Sequence, residues 1–82
     1  MKREETVAKL REILARQPAL KADAAAVTEE MRIGEVGFDS LSILDFMYDV
    51  EAELHIQTES AELVKIERIK DLIDYVQAKA SR

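Results

Sequence analysis

Only three of the 82 residues are proline or glycine (Pro18, Gly34 and Gly37), and none is cysteine. An all-β chain of this length would need a turn former at every tight hairpin, so that class is excluded. The lack of cysteine removes a disulfide framework, a thiolate metal site and a cysteine nucleophile. A chain this short hides only about 60% of its extended surface on folding, so without staples it must rely on well-packed helices. Hydrophobic residues make up 48% of the composition, enough for one modest core. The expected architecture is a small all-α bundle of three long helices and one short one, with residues 1–82 as a single domain.

The apolar spacing locates those helices. Between Arg3 and Gln17, Val7, Leu10 and Leu14 fall on one face, flanked by Ala8 and Ile13, and Pro18 stops the run by removing a donor. From Ala19 to Asp39 the period is lost; Ala22 to Ala26 has helical propensity but is interrupted beyond. A long loop is expected there, anchored by Val27, Met31, Ile33 and Val36, with room for a short helical turn. A loop that long is uncommon in a compact domain and is often functional. The best-patterned helix runs from near Ser40 to near Leu54, with Ile43, Phe46, Met47, Val50 and Leu54 inward and Asp39 or Ser40 as its cap. A short turn over Glu59–Val64 and a last helix from about Glu67 to Lys79, with Ile69, Leu72, Ile73 and Val76 inward, complete the set.

Charge is unevenly distributed. Between Ile33 and Val64 there is no lysine or arginine, but there are eight carboxylates: Glu35, Asp39, Asp45, Asp49, Glu51, Glu53, Glu59 and Glu62. The rest of the chain holds 12 basic against nine acidic residues, giving the formal net charge of −5. Such a balance argues against a grip on nucleic acid or an anionic membrane. It suits steering toward partners with basic patches, because an acidic helix that repels itself attracts cations. No apolar run approaches the ~18 residues that span a bilayer, and Met1 to Thr6 lead into no signal-peptide core. A cytoplasmic monomer is expected.

Catalysis is excluded by inventory. The single histidine, His55, stands 15 residues from Ser40, about 22 Å along a helix, whereas a serine–histidine pair needs about 3 Å. No set of His, Cys or alternating carboxylates has metal-ligand spacing. What remains is Gly37-Phe38-Asp39-Ser40-Leu41, a hydroxyl at a helix N-terminus beside a carboxylate, where unpaired amides favour a phosphate ester.

That motif, followed by an acidic amphipathic helix, resembles the attachment motif of acyl carrier proteins. The likeness spans nearly the whole chain: the first helix, the approach through Val27-Thr28-Glu29-Glu30 and Ile33-Gly34-Glu35-Val36-Gly37, the acidic helix, the short helix, and Ile66 to Val76. It implies that Ser40 carries 4′-phosphopantetheine, transferred from coenzyme A by a phosphopantetheinyl transferase, and that Asp39 presents Ser40 and magnesium to that enzyme. The arm's thiol would hold acyl cargo as a thioester, so the chain would be a carrier and no enzyme. Its other partners would be a cargo-loading ligase and pathway enzymes.

Several positions depart from housekeeping fatty-acid carriers. No proline occurs in Leu54-His55-Ile56-Gln57-Thr58; Ser42 replaces an acid; Ala52 interrupts the acidic run; Tyr48 is bulky for a surface position. These point to a specialised lipid or polyketide-type pathway. Phe38 favours the acyl side over aminoacyl or peptidyl carriers, which more often have Gly-Gly there; an aminoacyl carrier loaded by an adenylating ligase is the alternative. An alternative of another class is an acidic helical adaptor in which Ser40 is only a cap. On the helix side opposite the expected core lie Leu41, Leu44, Asp45, Tyr48 and Glu51, a candidate partner face of apolar grip rimmed by acids. A competing placement puts Leu44 in the core.

Overall fold

The computed structural model describes residues 2–18, 20 and 23–80. Among these the chain forms five α-helices: α1 (Arg3–Ala15), α2 (Ile33–Val36), α3 (Ser42–Leu54), α4 (Ser60–Leu63) and α5 (Ile69–Ala80), with a 3₁₀ turn at Ala24–Ala26 between α1 and α2. The three long helices and the short helix after the acidic one match the expected bundle. The expected loop holds, in addition, the short α2. Of the loop positions named from the sequence, Ala19 and Ala22 lie outside the described residues.

Each helix end has a local cause. α1 stops at Ala15, two residues before the expected end, because Pro18 disfavours helical backbone at Gln17 and its ring would meet the Leu14 carbonyl. The Gln17 side chain folds back and donates to the Ile13 carbonyl at 3.2 Å. α2 ends at Gly37, whose φ of 120° suits glycine, and the Gly37 amide donates to the Gly34 carbonyl. α3 closes on His55 in the left-handed conformation, φ 56°, with its amide donating to Glu51. α5 begins at Ile69 rather than near Glu67, because Arg68 is held extended, paired antiparallel with Arg32. The Ile69 amide donates to the Met31 carbonyl at 2.9 Å and Lys70 to that of Glu29 at 2.9 Å, while Ile33 donates to Glu67 at 3.0 Å. The unpaired amides at the start of α5 thus fasten the loop.

The core is continuous. Leu10, Ile13 and Leu14 of α1, Phe46, Met47 and Val50 of α3, and Ile69, Leu72, Ile73 and Val76 of α5 are buried. Ile43, Leu54 and Val7, expected inside, pack half-buried at its edge. Ala8 is exposed and takes no part. The loop contributes Val27, Val36 and Phe38, and α4 contributes Leu63. Phe38 packs its ring 5.2 Å from that of Phe46, so the segment leading to Ser40 is anchored one residue before Asp39. An ion pair of Arg3 with both Glu29 (2.7 Å) and Asp74 (2.6 Å) joins α1 to the loop and α5.

Candidate functional site

With Phe38 fixed in the core, the chain emerges at Asp39 and turns into α3. Asp39 is the working cap. Its carbonyl accepts from the Ile43 amide at 3.0 Å, and its Oδ1 accepts from the amides of Leu41 (3.0 Å) and Ser42 (2.8 Å). Ser42 completes a capping box: its Oγ accepts from the Asp39 amide at 2.8 Å and donates to Asp39 Oδ1 at 2.9 Å. These bonds hold the Asp39 carboxyl below the usual carboxylate range, the Ser42 amide and hydroxyl acting most, then the Leu41 amide. Asp39 and Ser40 were interchangeable as caps in the sequence; in the structure the cap is Asp39.

Ser40 is therefore released from structural duty. It is exposed on the first turn, and among the described residues no hydrogen bond engages its hydroxyl. A group esterified there meets no steric obstacle, so the residues present fit a phosphopantetheine arm. The expected cradle of free amides is altered, however: those of Leu41 and Ser42 are occupied by Asp39.

An open, mainly apolar groove starts at Ser40. Ile33, Phe38, Ile43, Leu44, Leu63, Val64 and Ile66 line it, with Asp39 and Ser60 at the margin. Leu41 (74% exposed), Leu44 (40%) and Val64 (81%) stand at its surface, and Tyr48 (73%) is exposed one turn of α3 beyond Leu44. Leu44 is thus at the rim and outside the core. Asp45 is exposed beside them. Glu51 is half-buried at the other end of α3, where its Oε2 accepts from the Thr58 amide at 3.0 Å.

Two more α3 carboxylates face α1. Asp49 Oδ2 accepts from the buried Gln17 Nε2 at 2.9 Å, and Glu53 pairs with Arg16 at 2.5 Å. Nothing in the residue pattern marks these links, because each depends on how the segment just after α1 lies against α3. Val64, too, was missed as a surface residue; its place just beyond α4 was the available signal. His55 caps the end of α3 remote from Ser40, separated by a 13-residue helix of about 20 Å.

Residues 8–76 match a protein-family model described as the phosphopantetheine attachment site. The chain is 35% identical over 78 residues to the acyl carrier protein of Thermotoga maritima, covering 94% of both. It is 32% identical over 54 residues to an acyl carrier protein homolog of Mycoplasmopsis pulmonis, covering 66% of this chain and 74% of that one. The crystal structure of the Thermotoga maritima protein superposes with a TM-score of 0.79 at 35% identity, over 99% of this chain and 93% of that chain. The class is the helical carrier domain whose prosthetic group is 4′-phosphopantetheine. Within that class, the chain belongs to the acyl carrier protein family.

Proposed function

We propose that Ser40 is the attachment residue and that residues 1–82 act as one carrier domain, holding acyl intermediates as thioesters and passing them between enzymes without catalysing a reaction. The observation that carries the assignment is the division of labour at the start of α3. Asp39 and Ser42 satisfy the helix end, and the adjacent hydroxyl is left exposed and unengaged. A serine kept as a cap would be doing what Asp39 does.

On attachment, Ser40 Oγ would form a phosphoester bond as the phosphoanhydride bond of coenzyme A breaks, its proton passing to a base of the transferase and the adenosine 3′,5′-bisphosphate half leaving. Asp39 is fixed through Oδ1, and no described residue bonds Oδ2, so that oxygen is available to a magnesium ion held by the transferase. Once bound, the arm supplies the thiol that a cysteine-free chain lacks. Leu41, Leu44 and Tyr48 offer apolar contact to partner enzymes, and Asp45 offers charge to their basic patches. Glu51, tied to the Thr58 amide, would contribute at the edge of that face. Among the described residues no helix is long and apolar enough to cross a membrane, and we place the carrier in the cytoplasm with its transferase and loading ligase. Ser42 in place of an acid and the exposed Tyr48 support a specialised lipid or polyketide-type pathway.

Incubation with coenzyme A, magnesium and a broad-specificity phosphopantetheinyl transferase, read by intact mass, tests this reading. The wild-type chain should gain one phosphopantetheine and Ser40→Ala should gain none while keeping its helical circular dichroism. A folded wild-type chain that gains nothing, or a Ser40→Ala chain that is still modified, would refute it.

A further inference from the structure

Resting on Ser40 as the attachment residue, we infer that Ser42 is a positioning residue for phosphopantetheine transfer, acting through the Asp39 carboxylate. Four hydrogen bonds join residues 39, 41 and 42. Asp39 Oδ1 receives three donors: the Leu41 amide at 3.0 Å, the Ser42 amide at 2.8 Å and Ser42 Oγ at 2.9 Å. The fourth runs the other way, from the Asp39 amide to Ser42 Oγ at 2.8 Å.

Only a hydroxyl closes this clasp. It has one proton to donate and lone pairs to accept, so a single oxygen can hold both the backbone and the carboxylate of Asp39. A carboxylate at position 42 could accept from the Asp39 amide but would have no proton for Oδ1. An apolar side chain could do neither. The two amides alone would keep Oδ1 near the helix end, but they leave the carboxylate free to swing about its χ angles. With the hydroxyl added, Oδ1 is held by three donors, which restricts rotation of the carboxylate and leaves Oδ2 without a partner among the described residues. Ser42 lies two residues past the reacting hydroxyl and makes no hydrogen bond to Ser40, so its influence must pass through Asp39.

The consequence is a separation of kinetic effects. A residue that only touches the partner enzyme alters KM; one that aligns a group needed in the transition state alters kcat. Transfer from coenzyme A by a broad-specificity phosphopantetheinyl transferase, with magnesium and the full chain, should be measured for wild type and for Ser42→Ala, Ser42→Val and Ser42→Thr. Thr and Val have nearly the same shape and the same β-branched backbone preference, so they differ essentially in the hydroxyl. We expect Ser42→Ala and Ser42→Val to lose about tenfold in kcat, the scale of a lost hydrogen bond to a charged group, with KM within about twofold of wild type. Ser42→Thr should retain wild-type kcat. Circular dichroism at the assay temperature confirms that the variants compared are folded, and the Thr–Val pair decides the matter without the alanine variant. Wild-type kcat in Ser42→Val, a Ser42→Thr no faster than Ser42→Val, or a loss confined to KM would overturn the inference while the Ser40 reading stands. A wild-type chain not modified at Ser40 would instead overturn that reading, and this one with it.

Discussion

The two halves of α3 differ in how many acids they carry, one toward the N-terminal end and three toward the C-terminal end, and in what those acids are doing. Toward the C-terminal end, Asp49 is bonded to Gln17, Glu51 to the Thr58 amide and Glu53 to Arg16. Those carboxylates hold α1 and the post-helix segment against α3. Toward the N-terminal end, the Asp45 carboxylate has no hydrogen bond or ion pair among the described residues, and Leu41, Leu44 and Tyr48 are exposed around it. One half of the helix is a structural joint and the other is an open surface beside Ser40. A charge run read from sequence therefore overstates the charge available to a partner. The pairing of Glu53 with Arg16 relieves part of the like-charge repulsion of the C-terminal half, and the open carboxylate of Asp45 lies on the half that begins beside Ser40.

The largest expected contrast is in packing. Phe46→Ala removes a side chain that is 1% exposed and in contact with Phe38, and should cost about 3–5 kcal/mol in denaturant unfolding. Leu41→Ala and Leu44→Ala, at the surface of the same helix, should change stability by no more than about 0.5 kcal/mol. A Leu44→Ala loss as large as a core truncation would break the division.

Next come the joint residues. Glu53→Gln should lower stability by about 0.2–1 kcal/mol, the range for a partly exposed ion pair, and the effect should shrink at high salt. Asp49→Ala should cost about 1–2 kcal/mol, because the buried Gln17 amide loses an acceptor. Urea titrations at low and high salt measure both. If neither variant differs from wild type, the C-terminal acids are not a joint.

The smallest effect concerns α4, which is tied to α5. Tyr75 Oη accepts from the Glu59 amide at 3.1 Å and donates to Glu62 at 2.9 Å, and Lys79 lies 3.4 Å from the same carboxylate. These contacts hold the Glu62 carboxyl below its ordinary value, Tyr75 first and Lys79 after it. A carboxyl depressed in the folded state stabilises the fold above its unfolded value of about 4.3, and the contribution is lost as pH falls through the folded value. Tyr75→Phe should therefore flatten the decline of the urea midpoint below about pH 4.3. An unchanged pH dependence would mean that Glu62 is not coupled to folding through Tyr75.

How much of this was legible in the sequence depends on the range of the interactions. The inward face of α3 was, because Phe46, Met47 and Val50 repeat at helical spacing and burial follows the period. So was the open face, since Leu41, Leu44 and Tyr48 are its complement. α2 was not a definite element: Ile33–Val36 is one turn, too short to show a period, and it is held by tertiary bonds such as Ile33 to Glu67. The choice between Asp39 and Ser40 as cap was hidden because both residue types cap well; Phe38's burial and Ser42's reciprocal bonds decide it. The engaged state of Asp49 and Glu53 was hidden for a third reason. Their partners, Gln17 and Arg16, are more than 30 positions away in the chain, at a helix end shaped by Pro18.

The contrast between the two halves of α3 is tested most directly by a pair of isosteric neutralisations. Asp45→Asn and Glu53→Gln change the net charge by the same amount, so steering by total charge would slow association with the phosphopantetheinyl transferase equally. Stopped-flow association rates at low salt should instead fall about two- to fivefold for Asp45→Asn and stay near wild type for Glu53→Gln, with the difference vanishing at high salt. Equal slowing of the two variants, or slowing by Glu53→Gln alone, would contradict the account.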